Sequence, residues 1–373
     1  MINYKSNKKE SVMNVKAEEI YNKIKNSNPK EAEEFLEHNL GELLSDDFIY
    51  KDIVFFYLKT PNLQKIVKDN FNKFLIKAGY KVNYFIQEFI SISDENRAFI
   101  IENMDNIISK ELFKNFIEVI NVLKGLDDDV RKKLNEVISH KQEIFSAGIV
   151  YAYKDLIGIT DENVLKCGKT LSYIFQDVLN SENKKFSDIE IIGKGHYSIV
   201  IRIGEKVVKV GHARYSYYIP NHKRILQPIM RSNYTEDGNI IVCFEVSNKV
   251  KMLSDEEIKQ KSTSLYRIYK ELRDDGIVWT DIAWENVGIL LGDNKPTLNG
   301  HAIDVDKKSE GFITDCVDKP LGKNEIVIID TDYIFREKDP AIKWVSECSR
   351  FEKIYQKEKR EEEQTRWYYL VMM

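Results

Sequence analysis

The sequence predicts an α+β chain in two parts, an all-α helical-repeat array followed by a mixed domain whose sheet-rich portion precedes a reduced helix-rich one. Three observations carry this. Helix-start signals recur at a nearly constant interval through the first half, and the apolar pattern switches from a helical to a strand-like period around Asn183–Ser187. Beyond that switch, glycine turns and a loop bearing an acid and an amide separate short apolar runs. The expected boundaries are a flexible polar tail over 1–14, the array over 15–186, and the mixed domain over 187–373. Within the last, the sheet-rich part covers about 187–247 and the helix-rich part about 248–373.

Bulk properties narrow the function classes. A chain of 373 residues has ample length for a core. The net charge of -4 and a pI near 6.0 give no global electrostatic case for nucleic acid or an anionic membrane. Cys167, Cys243, Cys316 and Cys348 are too few and too scattered for a disulfide framework, so reduced thiols are expected. Met1 to Val15 lacks the apolar centre of a signal peptide, and no later apolar run is long enough to span a bilayer. The expectation is a cytoplasmic protein without disulfides or membrane contact.

The repeats begin at Asn28-Pro29, Thr60-Pro61, Ser93-Asp94-Glu95, Asp127-Asp128 and Thr160-Asp161-Glu162, separated by 32, 33, 34 and 33 residues. Short oxygen-bearing side chains cap free amides, proline at the first helical position loses no bond, and acids suit the positive end of the helix dipole. Apolar stripes follow, such as Leu63, Ile66, Val67, Phe71 and Phe74, or Val130, Leu134, Val137 and Ile138. A second helix is expected over 53–58, 84–92, 113–123 and 149–156. One helical hairpin cannot bury its own apolar face, so stacked copies predict a HEAT- or armadillo-like array, with an irregular bundle as the alternative. The pairs Phe55-Phe56 and Tyr84-Phe85 read as core. Such an array usually offers a surface to a protein or nucleic-acid partner, and a protein partner is the one expected here.

In the second half, Ile191 to Ile203 reads as strand, glycine turn and strand, and Lys206 to Val210 as a third strand after a turn at Gly204-Glu205. Gly193, Lys194, Gly195 and Ser198 form the turn; glycines there let backbone amides approach phosphates. Val200 would cover a base, and Lys209, set among Val207, Val208 and Val210, would neutralise phosphate charge, with Lys206 as a substitute. A strand follows the turn, which disfavours a dinucleotide site, where a helix must come next. Ser254-Asp255-Glu256-Glu257 is a capping box, and the helix it opens stops at Gly276. Then comes Trp279-Thr280-Asp281-Ile282-Ala283-Trp284-Glu285-Asn286. On one loop, Asp281 can orient a hydroxyl and take its proton while Asn286 holds a metal ion on a polyphosphate.

These features, in this order, resemble the protein-kinase-like superfamily. The resemblance covers about residues 187–336 and implies a two-lobed domain binding ATP and Mg2+, with catalysis by Asp281, Asn286 and Lys209. It implies that Glu245-Val246-Ser247 is the hinge whose backbone bonds adenine, with Glu245 and Ser247 in the nucleotide site. It also implies a second metal ligand beside Asn286, Asp330 after the apolar run Glu325 to Ile329, with Asp304 as the alternative. Asp339-Pro340 then opens a last helix.

The departures are specific. Trp279 and Thr280 stand where the family has His and Arg, Ser198 stands for the third glycine, and Thr331-Asp332 stands for Phe-Gly. No Glu or Asp lies between Lys206 and Thr235 to pair with the lysine, so Lys209 works unpaired or its acid comes from elsewhere. The expected activity is phosphotransfer from ATP to a hydroxyl of a protein or small molecule. The alternatives are a pseudokinase scaffold and a nucleotidyl transferase on the same fold.

Overall fold

A computed structural model describes residues 15–45, 52–194, 198–212, 222–261, 263–292, 321–329, 334–336 and 350–372. The chain is α+β, with a helix-rich N-terminal region and an antiparallel sheet region towards the C-terminus. It divides into two compact units. The first comprises residues 1–154, 160–176 and 185–187, and the second 155–159, 177–184 and 188–373.

In the first unit three of the five predicted starts are side-chain caps. Asn28 accepts from Glu31 N at 3.0 Å, Ser93 from Asn96 N at 3.2 Å, and Asp127 from the amides of Asp129 and Val130. Thr60 and Thr160 instead precede short 3-10 turns and make no side-chain cap bond. The second helices are Ile53–Lys59, Val82–Ile92, Phe116–Gly125 and Gln142–Ala152. The third begins later than expected because Lys110–Asn115 winds as 3-10, and the fourth lies several residues earlier than 149–156.

Helices Ile53–Lys59, Val82–Ile92 and Phe116–Gly125 pack each on the next, as one repeat stacks on its copy. Their interior is aromatic: Phe74, Phe85 and Phe89 are fully buried, and the Phe71 and Phe89 rings lie 4.8 Å apart. Burying each such ring contributes about 1.5–3 kcal/mol.

A second periodic element is internal. Asn39, Asn70 and Asn103 each break the first helix of a repeat, and each returns both its backbone N–H and its Nδ2 to the carbonyl four residues back, on Phe35, Ile66 and Phe99. A side chain competing for that carbonyl bends or ends a helix. Asn115 ties neighbouring copies by donating to the carbonyls of Leu75 and Ile76.

The second unit holds a five-stranded antiparallel sheet in the order β1-β2-β3-β5-β4. Its strands are β1 (Glu190–Lys194), β2 (Ser198–Ile203), β3 (Lys206–His212), β4 (Met230–Glu236) and β5 (Asn239–Asn248). One face is the core, where Ile199, Ile201, Ile203, Val208, Val210, Phe244 and Val246 are buried. The other, carrying Val200, Arg202, Val207 and Lys209, is half-buried, as alternation in a one-sided sheet requires.

Strands β6 (Val250–Met252), β8 (Val287–Leu290) and β9 (Ile326–Ile328) form a second sheet. β7 (Ile277–Trp279) pairs with β10 (Ile334–Arg336). At Gly288 an added Cβ would come within 2.3 Å of Val250 Cγ2, so the β6–β8 approach requires glycine. The capping box at Ser254 and Glu257 forms as expected, but the helix it opens is the short Asp255–Gln260, and a second helix, not the same one, runs on to Gly276. Helix Ser264–Asp274 ends at Gly276, whose φ of 72° suits glycine. It packs Leu265, Ile268, Tyr269 and Leu272 with Trp279, Val287 and Ile328 in one core. The last described helix is Arg350–Met372; residues 337–349, including the predicted start at Asp339-Pro340, lie outside the described residues.

Candidate active site

The strand register places four of the predicted residues in one row. Gly193 on β1 faces Val200 on β2, Val200 faces Lys209 on β3, Lys209 faces Glu245 on β5, and Glu245 faces Arg231 on β4. Directly opposed residues share a face of the sheet, so this row crosses all five strands on the half-buried side. Lys206 belongs to the other face, opposite Ile203 and Asn248, where its Nζ donates to Asn248 Oδ1 at 2.6 Å and lies 3.9 Å from Glu182. Of the two candidate lysines, only Lys209 aligns with the glycine turn and Val200. Lys194 ends β1 and the buried Ser198 opens β2; Gly195 lies outside the described residues.

Glu245 and Ser247 are not at a strand end. β5 runs to Asn248, so both sit inside the ladder, opposite Lys209 and Val207. Val246 C=O accepts from Ile229 N at 2.7 Å on the β4 side. Because successive peptide groups point alternately, those of Glu245 and Ser247 turn toward β3, which corrects the hinge expected there. The Glu245 side chain is buried and receives Arg231 Nη2 at 2.5 Å. Beside it, burial and the Glu245 charge push the Cys243 thiol up to about 12, which makes it inert as a nucleophile.

The acid–amide loop is built between strand pairs. β7 delivers the chain to Thr280, and β8 takes it away from Asn286. Asn286 is buried, and its Nδ2 donates to Asp281 Oδ2 at 2.8 Å and to Asp281 O at 3.0 Å, closing the six-residue loop on itself. Asp281 is exposed. β9 pairs with β8, and Ile329 N donates to Asn286 O at 2.9 Å, so the apolar strand ahead of Asp330 ends beside Asn286. Asp330 and its alternative Asp304 lie outside the described residues. Among the described residues no cluster of three or more His, Cys, Asp or Glu could hold a metal ion.

Sequence reasoning missed the residue that ties helix Ser264–Asp274 to β9. Arg224 is buried; its Nε and Nη2 form a fork on the Glu271 carboxylate at 2.8 and 2.9 Å, while Nη1 reaches Glu325 Oε2 at 3.0 Å and Ile326 O at 3.2 Å. The segment around it also pairs with β9: Ile328 N donates to Arg224 O and Leu226 N to Ile328 O. Burial opposes the Arg224 charge, but Glu271 and Glu325 outweigh it and hold its pKa above the usual value; burial likewise opposes ionisation of Glu271, which Arg224 nonetheless holds below the usual range. Two residues earlier, burial lowers the His222 pKa, partly offset by Asp275, whose Oδ2 lies 2.9 Å from Nε2. An arginine in a polar loop carries no sequence signal for a partner 47 or 101 positions away.

Comparisons with family models, with curated proteins and with solved structures return no match to this chain.

Proposed function

We propose that the chain is an ATP-dependent phosphotransferase of protein-kinase-like fold acting on a hydroxyl of a protein or a small molecule. The observation that carries this reading is the closed Asp281–Asn286 loop, with β9 ending at the Asn286 carbonyl and Gly193, Val200 and Lys209 in one row of the neighbouring sheet.

The chemistry follows from the groups. With one carboxylate oxygen bound to Asn286, Asp281 presents its other oxygen to an acceptor hydroxyl, orients it and takes its proton. Committing Nδ2 to Asp281 leaves Asn286 Oδ1 as that side chain's only metal ligand atom, a hard oxygen of the type Mg2+ takes; Asp330 is the second oxygen ligand in this reading. Mg2+, when bound, supplies neutralisation of the phosphate oxygens. Lys209 adds a fixed positive charge from the sheet, and the amides around Gly193 cover the phosphates.

A second reading, a nucleotide-binding scaffold without transfer activity, is favoured by Trp279 and Thr280 standing where the family has His and Arg ahead of Asp281. Incubation with ATP labelled at the gamma or the alpha phosphate separates the two. Wild type should transfer gamma label, and Asp281→Ala should lose about 10²–10⁴-fold of that rate, the range for removing a general base. Alpha label in the product would mean nucleotidyl transfer. No transfer, with Mg·ATP stabilising both proteins equally, would mean the scaffold.

A further inference from the structure

The helical unit carries a second site unrelated to this chemistry. A groove of about 460 Å³ opens on it, and among the described residues its apolar lining is aromatic: Tyr21, Phe55, Phe56 and Tyr84. The polar lining is Lys59 and Lys81, with Asp52 paired to Lys81. Tyr21 and Phe56 meet edge to face at 5.7 Å, and Phe55 packs on the buried Phe85 at 6.2 Å, so the floor is fixed by the core. Tyr84 is 66% exposed and Tyr80, under Lys81 Nζ at 5.7 Å, is 71% exposed. This corrects the sequence expectation: of the two aromatic pairs read as core, Phe85 is core, whereas Phe55, Phe56 and Tyr84 line a groove.

Local charge differs from the chain average. Residues 52–84 hold six lysines against Asp52 and Asp69, whereas residues 85–128 hold nine acids against four bases. The change follows the stack of second helices. Their third residue is Phe55 in the first, Tyr84 in the second and Glu118 in the third, so among these three helices the rings at this position fall at the lysine-rich end.

We propose that this groove binds single-stranded nucleic acid, stacking bases on Tyr84 and the neighbouring rings and holding phosphates at Lys59 and Lys81. Every base has a π-face and every linkage a negative charge, so rings interleaved with lysines take a single strand without reading its sequence. An acidic peptide would satisfy the lysines, but the exposed ring of Tyr84 beside Phe55 and Phe56 adds the flat stacking surface that bases use.

Fluorescence anisotropy of the full chain with labelled ten-residue oligo-dT and oligo-U, at 50 and 200 mM salt, tests this. Both strands should bind, more weakly at the higher salt. Tyr84→Ala should weaken binding roughly 5- to 150-fold, the range for losing one stacked base. Lys59→Gln should flatten the slope of log affinity against log salt by roughly 0.7, one phosphate contact on a single strand. Tyr173→Ala, another exposed aromatic, should bind like wild type. Circular dichroism matching wild type keeps each variant interpretable. The proposal is overturned if wild type binds neither strand at 50 mM salt, or if Tyr84→Ala and Lys59→Gln bind as wild type does. It is equally overturned if a Glu/Tyr copolymer binds in a Tyr84-dependent way while the oligonucleotides do not.

Discussion

The two units are held together by opposite means. In the helical unit the ion pairs are on the surface: Arg97 and Asp127, for instance, are 35% and 42% exposed. Its interior is mainly rings and aliphatic chains, and the polar side chains buried there, such as Asn96 and Asn115, are uncharged. The sheet-bearing unit instead buries charge where distant segments meet. Arg273 and Glu352 are 5% and 7% exposed, and Arg231 and Glu245 are 8% and 10% exposed. Glu352 also accepts from Tyr269 OH and Gln356 Nε2, so helix Arg350–Met372 is anchored to helix Ser264–Asp274 by a buried polar cluster. A buried pair adds little net stability against an apolar replacement, yet removing one partner is severe because the other charge is stranded. The first unit should therefore respond to lost volume, and the second to lost charge balance.

Single substitutions of equal expected size sharpen that contrast. Phe89→Ala, which empties a fully buried ring site packed on Phe71 and Phe99, should cost about 3–5 kcal/mol. Glu352→Ala should cost a similar ~3–5 kcal/mol by leaving Arg273 buried and unbalanced. The double replacement Arg273→Met with Glu352→Leu should recover most of that loss. Urea titration measures each, and no recovery in the double variant would break the distinction.

A smaller effect is pH-dependent and belongs to the second unit. Burial opposes ionisation of Glu271 and Glu352, but Arg224 and Arg273 hold both below the ordinary 4.5. Their contribution is fully present above about 4.5 and is lost as pH falls through the lowered values. His222 is held below 6.5 by burial, so the unfolded chain takes up that proton first and stability declines as pH drops under 6.5. The urea midpoint should fall from pH 6.5 downward, and His222→Gln should flatten the upper part of that decline. Smallest is Ser93→Ala, which removes one cap and should cost about 1 kcal/mol, measurable in the urea midpoint.

The same contrast explains what the sequence discloses. Caps, helix stops and strand alternation are local, and Asn28, Ser93, Asp127, the Ser254–Glu257 box, Gly276 and strands β1 to β3 all follow from adjacent residues. The Asn39, Asn70 and Asn103 breaks are also periodic and were legible in principle, since each stands four residues past an apolar residue at intervals of 31 and 33. The Arg224, Arg231 and Arg273 pairings were not, because which acid meets which arginine depends on the topology. The span of β5 had the same cause: partners on both sides extend it through Ser247. In the candidate site, Asp281 is bonded to Asn286 and Lys209 is aligned with Val200, both on segments that local patterning marks out, while the contacts of Arg224 have no counterpart in the sequence.

The central claim is that the row through Gly193, Val200 and Lys209 and the loop from Asp281 to Asn286 serve one magnesium–nucleotide cleft. Hydrogen exchange followed by mass spectrometry, with and without Mg2+ and a non-hydrolysable ATP analogue, tests it most directly. Peptides spanning 190–212 and 280–290 should gain protection together, at the same ligand concentration, and Lys209→Met should abolish both. Protection of only one segment, or of neither at saturating ligand, would contradict it.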